Sequence, residues 1–395
     1  MDVNNYLGEW ASRYEKDLKT DIMPFWLKYG LDRKHGGVYT CVDRDGTLMD
    51  TTKSVWFQGR FGFTAAFAYN HIEKNPEWLA ASKSCIDFIE KYCSDKDGHM
   101  YFEITEDGVG LRKRRYVFSE CFAAIAMSEY SLATGDQAYA QKALEMFKRI
   151  QKFLNTPGFL EAKYEPVFQA RSHSITMILV NTAAKVRESI QDPILDKQID
   201  DSIDAIAKYF MHPEYKALLE TVGPNGEFID TLNCRTINPG HCIETSWFIM
   251  EEARRRNWDK KLVDMALQIF DWSFKWGWDE QYGGIINFKD CRNFPNQDYS
   301  QDMKFWWPQT ETIIASLYAY LATGDQKYID IHKQVSDWTY SHFPDPKYGE
   351  WFGYLHRDGT PAQMAKGNIF KGPFHILRMM TQSYMLCNDI IAKNK

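Results

Sequence analysis

A chain of 395 residues with 44% hydrophobic and 15% aromatic content can bury a large core, and length alone suggests two or three domains unless a repeat organises it. The net charge of −6, with Lys and Arg scattered along the chain, argues against nucleic acid or an anionic membrane surface as a partner. No basic and apolar leader opens the sequence, no run of about 18 apolar residues occurs, and the eight cysteines are dispersed without a C-x-x-C pair. A cytosolic protein with free thiols is therefore expected.

Apolar periodicity gives twelve helical segments, roughly 3–29, 57–74, 77–93, 116–133, 137–153, 171–189, 194–211, 241–256, 259–275, 308–322, 326–341 and 373–391. The connections alternate between two kinds. After each even-numbered helix but the last the link is short, as in Glu73-Lys74-Asn75-Pro76, Thr134-Gly135-Asp136, Arg256-Asn257 and Thr323-Gly324-Asp325, and short links imply antiparallel neighbours. Before each even-numbered helix stands a long Gly- and aromatic-rich segment, at 30–56, 94–115, 154–170, 212–240, 276–307 and 342–372. These carry hairpin-like pieces on one theme: Asp32-Arg33-Lys34-His35-Gly36-Gly37-Val38, Asp279-Glu280-Gln281-Tyr282-Gly283-Gly284-Ile285 and Asp345-Pro346-Lys347-Tyr348-Gly349-Glu350-Trp351.

A repeat is also visible by identity. Leu132-Ala133-Thr134-Gly135-Asp136-Gln137 recurs 189 residues later as Leu321-Ala322-Thr323-Gly324-Asp325-Gln326, an offset of three units of 63. Six such units nearly fill the chain, and helix pairs at that period form a stacked or closed array. The expectation is one domain over 1–395: an all-α toroid of six helical hairpins, the even helices inside, with long loops and short β-hairpins at one face.

Polar groups recur at the loop-proximal end of each inner helix: Arg60, Glu120, Arg171 with His173, His241 with Glu244, Gln309 with Glu311, and His375 with Arg378. A core built only for packing would not place polar groups there six times. In Asn238-Pro239-Gly240-His241-Cys242-Ile243-Glu244 the proline fits a first helical turn, so His241 and Glu244 share one face. A histidine at a helix start is often only a cap, but His241 and His375 stand at equivalent points of different repeats. Glu244 and Glu311 could be favourable charges at helix N-termini, and Arg60 could be half of a structural ion pair. The clusters around Trp56 and Trp306 read first as core, yet they flank these polar positions as a sugar-binding surface would. No third ligand stands at metal spacing beside His241 and Glu244, and no Gly-x-x-x-x-Gly-Lys-Ser/Thr loop is present.

Two histidines with acidic and arginine support suit proton abstraction beside a carbonyl, because imidazole serves as base in one direction and acid in the other. Arg60 would stabilise the enolate oxygen. One histidine on each face of the substrate carbon would invert it.

The segments Ser119-Glu120-Cys121-Phe122, Asn238-Pro239-Gly240-His241, Lys304 to Glu311 and Asp345 to Leu355 together resemble the N-acylglucosamine 2-epimerases, a family related to the cellobiose 2-epimerases and sugar isomerases. The resemblance implies an (α/α)6 barrel and interconversion of N-acetylglucosamine with N-acetylmannosamine through an enolate of the ring-opened sugar. It implies His241 and His375 as the catalytic pair, with Arg60, Glu244 and Glu311 in support. Trp56, Glu120, Arg171, His173, Trp306, Gln309 and Arg378 are expected to bind substrate. No metal or cofactor is expected in the chemistry, while ATP as an allosteric activator and a homodimer follow from the resemblance. This chain departs from the animal-type pattern in carrying Asn368-Ile369 before Phe370-Lys371-Gly372, and a histidine at 173. Alternatives are another sugar 2-epimerase or an aldose–ketose isomerase, a noncatalytic sugar- or protein-binding barrel, and a hydrolase using paired carboxylates.

Overall fold

In the computed structural model, which describes residues 2–114, 116–160 and 168–394, six helices form an inner ring: Val55–His71, Phe118–Thr134, His173–Ser189, Pro239–Arg255, Trp306–Thr323 and His375–Lys393. Each packs against the next, and the last packs against the first. That closing contact distinguishes a barrel from an open solenoid, and the expected (α/α)6 architecture is the one observed. The outer layer is Val3–Asp17, continued through a π-helical turn at Leu18–Ile22 into Met23–Tyr29, then Pro76–Tyr92, Gln137–Asn155, Pro193–Ala205 with a π turn at Ile206–Phe210, Lys260–Gly277 and Gln326–His342.

The sequence sorts the two layers. Helix Phe118–Thr134 buries every residue from Ser119 to Ser131, as a helix packed on all sides must. Helix Gln137–Asn155 buries Ala140, Ala143, Leu144, Phe147 and Ile150, the single stripe of a helix with one wet face. The short links also supply caps: the side chains of Asn75, Asp136, Asp192, Asp259 and Asp325 each accept a backbone N–H of the outer helix that follows, an interaction worth about 1 kcal/mol apiece. At the opposite face only Asn238 caps an inner helix in this way, and the other five have no side-chain cap among the described residues. Their positive ends are left for the barrel mouth.

The long segments are stitched to one another by short antiparallel strands. Lys53–Ser54 pairs with Tyr101–Ile104, Arg171–Ser172 with Thr221–Val222, Thr236–Ile237 with Lys289–Asp290, and Lys304–Phe305 with Tyr354–Leu355. Part of the third long segment, 161–167, lies outside the described residues. Each recurring Asp-to-Gly turn closes a bridge, Leu31 to Val38, Trp278 to Ile285 and Pro344 to Trp351. Gly36, Gly37, Gly283 and Gly284 all have positive φ, which explains the paired glycines.

Inner-helix starts differ from the sequence expectation by up to two residues. Trp306 and Trp307 lie inside helix Trp306–Thr323 rather than ahead of it, because Pro308 in the first turn costs no intrahelical hydrogen bond.

Candidate active site

The loop-side ends of the inner helices enclose a cavity of about 200 Å³. Of the twelve residues expected there, Trp56, Arg60, His241, Glu244, Trp306, His375 and Arg378 line it. Glu311 is wholly buried immediately behind, where its carboxylate accepts from His375 Nδ1 at 2.8 Å, from Trp247 Nε1 at 2.9 Å and from Arg378 at 2.8 Å.

Four of the twelve are elsewhere. Glu120 is fully buried and bonds His99 Nδ1 and the Met100 N–H. Arg171 is exposed, donating to the Pro224 carbonyl and lying over Tyr209. Gln309 spends both amide atoms on the Ile285 backbone. His173 sits behind His241, between Glu220 at 3.4 Å and Thr245 Oγ1 at 3.0 Å. Polar type and repeat position find the end of the helix but not the direction of the side chain, which the helical turn and the neighbouring loop decide.

The two histidines present themselves to one space. Each bonds a carboxylate through Nδ1, His241 to Glu220 at 2.9 Å and His375 to Glu311 at 2.8 Å, which leaves Nε2 as the free nitrogen of each ring. Trp307 lies between them, its ring centroid 5.2 Å from His241 and 5.8 Å from His375. Burial pushes His241 down, but the charge and hydrogen bond of Glu220 outweigh it and raise the imidazole above its ordinary value. Burial, followed by the cations Arg378 and Arg60, holds His375 well below it.

Arg60 has no carboxylate within 4 Å among the described residues, so the structural ion pair considered from sequence is not formed. Its guanidinium is packed among rings, 4.2 Å from the Phe122 centroid, 4.8 Å from Phe374 and 5.1 Å from Trp56, and its Nε is buried without a partner among the described residues. Desolvation lowers its pKa to about 9. A guanidinium in this state gains most from a new anionic partner.

Arg378 is the opposite case: it bonds Glu244 at 2.5 Å and Glu311 at 2.8 Å. Glu244, Glu311 and His375 bring donor atoms within 4.8 Å of one another, a grouping that could hold a cation. Arg378 already supplies positive charge to both carboxylates.

Glu220 was not foreseen. It lies in Leu219-Glu220-Thr221-Val222 on a long segment whose path no helical period fixes. The apolar walls Phe122, Met177, Ile178, Tyr354 and Phe374, and the amide of Asn181, also carry no sequence signal beyond core-like type. Trp247 was legible in principle, since it stands three residues after Glu244 on the same helical face.

The sequence profile of the family described as N-acylglucosamine 2-epimerase (GlcNAc 2-epimerase) matches residues 37–377. The chain belongs to this family. It is 33% identical to the N-acylglucosamine 2-epimerase of Bos taurus, covering 98% of this chain and 93% of the relative. It is 30% identical to the human enzyme of the same name, covering 98% and 91%. A solved cellobiose 2-epimerase of Spirochaeta thermophila superposes with a TM-score of 0.85 at 20% identity, covering 99% of each chain, a likeness of fold. Members of the N-acylglucosamine 2-epimerase family are carbohydrate epimerases, which agrees with an isomerase and gives no sign of a cofactor for the chemistry. Among the described residues no helix is long and apolar enough to cross a membrane.

Proposed function

We propose that the chain interconverts N-acetylglucosamine and N-acetylmannosamine by proton transfer at C2 of the ring-opened sugar, with His241 and His375 as the two bases. The observation that carries this reading is the pair of imidazoles facing one small cavity, each oriented through Nδ1 by a carboxylate. One Nε2 removes the C2 proton and the other returns a proton to the opposite face, so the carbon inverts with no bond cleaved elsewhere. Arg60 stabilises the enolate oxygen at C1, because a desolvated, unpaired guanidinium interacts more strongly with developing charge than with a neutral carbonyl. Glu244, Glu311 and Arg378 hold His375 in place. Trp56, Trp306 and Trp307 supply apolar faces for the sugar.

The volume of about 200 Å³ is below that of a drug-sized pocket, which suits a single sugar unit with a small substituent. The sugar named in the relatives supports the N-acyl assignment. The reading includes one catalytic domain over 1–395, ATP as an activator outside the chemistry, a homodimer and a cytoplasmic setting, all resting on the family likeness.

Proton NMR of N-acetylmannosamine incubated with the protein in D2O, with and without ATP, tests the proposal. Deuterium at C2 together with N-acetylglucosamine is expected. Exchange seen only with mannose or cellobiose would replace the substrate, a ketose product would replace epimerisation by aldose–ketose isomerisation, and no exchange with any sugar would sink the enzymatic reading.

A further inference from the structure

The two imidazoles of the cavity are held by unlike carboxylates. Glu220 bonds His241 Nδ1 at 2.9 Å and has no Lys or Arg partner among the described residues. Its other neighbour is a second imidazole, His173, wholly buried and 3.4 Å from the same oxygen. His173 reaches Thr245 Oγ1 through Nε2 at 3.0 Å, and Thr245 donates to the His241 carbonyl at 2.8 Å. The result is a closed frame around the His241 ring. Glu311 is committed differently: besides His375 it serves Arg378 and Trp247, and Arg378 Nη2 comes within 3.4 Å of His375 Nδ1. A carboxylate already neutralised by a guanidinium has less field left to hold an imidazolium. The charged and titratable groups facing His241 are Glu220 and His173 behind it, and Glu244, Arg60 and His375 across the cavity.

We propose that Glu220, anchored by His173, is a positioning residue that seats the single proton of the histidine pair on His241, so that the resting enzyme holds His241 as acid and His375 as base. The inference rests on the two-base reading and adds to it a preferred starting state. By accepting from Nδ1–H, Glu220 fixes the tautomer and turns Nε2 to the substrate. In one direction the C2–H bond breaks as its proton passes to His375 Nε2, and a new C2–H bond forms with the proton from His241 Nε2. The reverse direction exchanges the two roles, and the pair carries one proton before and after. The epimer that gives its proton to His375 meets an enzyme already set. The other epimer requires the proton to move to His375 first.

The two outer states of the pair, fully protonated and fully deprotonated, bound the active range in both directions, since substrate and product share one equilibrium constant at every pH. Loss of Glu220 should draw in the alkaline boundary, where His241 gives up its proton, and leave the acid boundary, set by His375, in place.

The decisive measurement is NMR titration of protein labelled with 15N-histidine, comparing wild type with Glu220→Gln and using His241→Asn to assign the resonance. The His241 midpoint should lie above that of His375 and fall by about one pH unit or more in Glu220→Gln. An unmoved His241 midpoint, or a wild-type His375 midpoint above it, overturns the proposal. This readout needs no turnover, so it is separable from failure of the epimerase reading. In the epimerase assay, Glu220→Gln should lose about tenfold or more in kcat with little change in KM, and its pH profile should narrow from the alkaline side. Glu220→Asp should restore that side. A uniform loss at every pH, without narrowing, overturns the proposal and leaves Glu220 a packing residue.

Discussion

Segments 32–60 and 279–311 build one frame twice and finish it with opposite charges. In the first, Lys53 Nζ pairs with Asp32 at 2.6 Å, and Gln58 accepts from the Val38 N–H at 2.8 Å and donates to its carbonyl at 2.9 Å. In the second, Lys304 pairs with Asp279 at 2.8 Å, and Gln309 accepts from the Ile285 N–H at 2.8 Å and donates to its carbonyl at 2.7 Å. Two residues beyond each glutamine, at the same point of the helix, stand Arg60 and Glu311. The frame thus fixes a backbone position, and the chemistry is whatever side chain is placed on it. Arg60 is bare, while Glu311 is saturated by His375, Trp247 and Arg378. On the proposed reading, the repeat serves construction and the departures from it serve catalysis.

The sharpest way to break this symmetry is at its charged ends. Glu311→Gln leaves the shape but removes the charge that balances Arg378 and bonds His375, and Arg60→Met removes the proposed enolate partner. Each should lower kcat about 10² to 10³-fold in the epimerase assay with the helical circular dichroism unchanged. A loss confined to KM in Arg60→Met would place the guanidinium in ground-state binding instead.

At the other end of the frame the expected effects are on stability, and they should be unequal. Lys53→Met strands Asp32, whose remaining partners in the buried frame are the Lys34 and His35 N–H groups, and should cost about 3–5 kcal/mol in urea unfolding. Lys304→Met should cost less, because Asp279 keeps Arg357 at 2.8 Å. Equal losses would show that the exposed Arg357 contributes nothing. The same pair sets an acid limit. Although burial raises it, the bond to Lys53 and those from the His35 and Lys34 N–H groups together outweigh this and hold the Asp32 carboxyl down at about 2, below the usual value near 4 in the unfolded chain. Its contribution is present above about pH 4 and is lost as pH falls toward about 2; Lys53→Met should flatten that part of the stability curve.

Gln309 separates frame from site most directly, since the sequence alone suggested a sugar ligand. Gln309→Ala leaves the Ile285 N–H and C=O unpaired in the core, at about 2–4 kcal/mol for the two groups, and should leave KM nearly unchanged. A KM rise with intact stability would return Gln309 to the binding surface.

These pairs also mark how far the sequence could be read. The twelve helices and their layering were legible because link length and apolar stripes report local geometry, and the identity between 132–137 and 321–326 fixed the period. His241, His375, Arg60 and Glu311 were legible because they occupy one phase of that period. Glu120 and Gln309 also stand at the loop-proximal ends of inner helices but turn into the wall, one toward His99 and the other toward the Ile285 backbone. Phase alone does not report that turn. Glu220 was hidden for another reason. It reaches His241 from a loop 21 residues earlier, a contact set by the strand pairing of Thr221–Val222 with Arg171–Ser172, and two-residue strands leave no alternation to read.

The smallest effects should come where the repeat is most faithful. Gly135 and Gly324 end the second and fifth inner helices, on opposite sides of the ring, with φ of 74° and 70°. Each donates its N–H to the carbonyl four residues back, at 2.8 Å to Ser131 and 2.7 Å to Tyr320. The aspartate that follows caps the next outer helix, Asp136 accepting from Ala138 N–H and Asp325 from Lys327 N–H, both at 3.0 Å. A Cβ at either glycine would meet nothing within 4 Å, so alanine should cost only the left-handed backbone, about 1 kcal/mol at each site. The two sites share no partner, and the double variant should lose the sum. Unequal single losses in urea unfolding would mean that twin turns with identical sequence are held differently by the outer helices they introduce, and the comparison between repeats would then have to be made helix pair by helix pair.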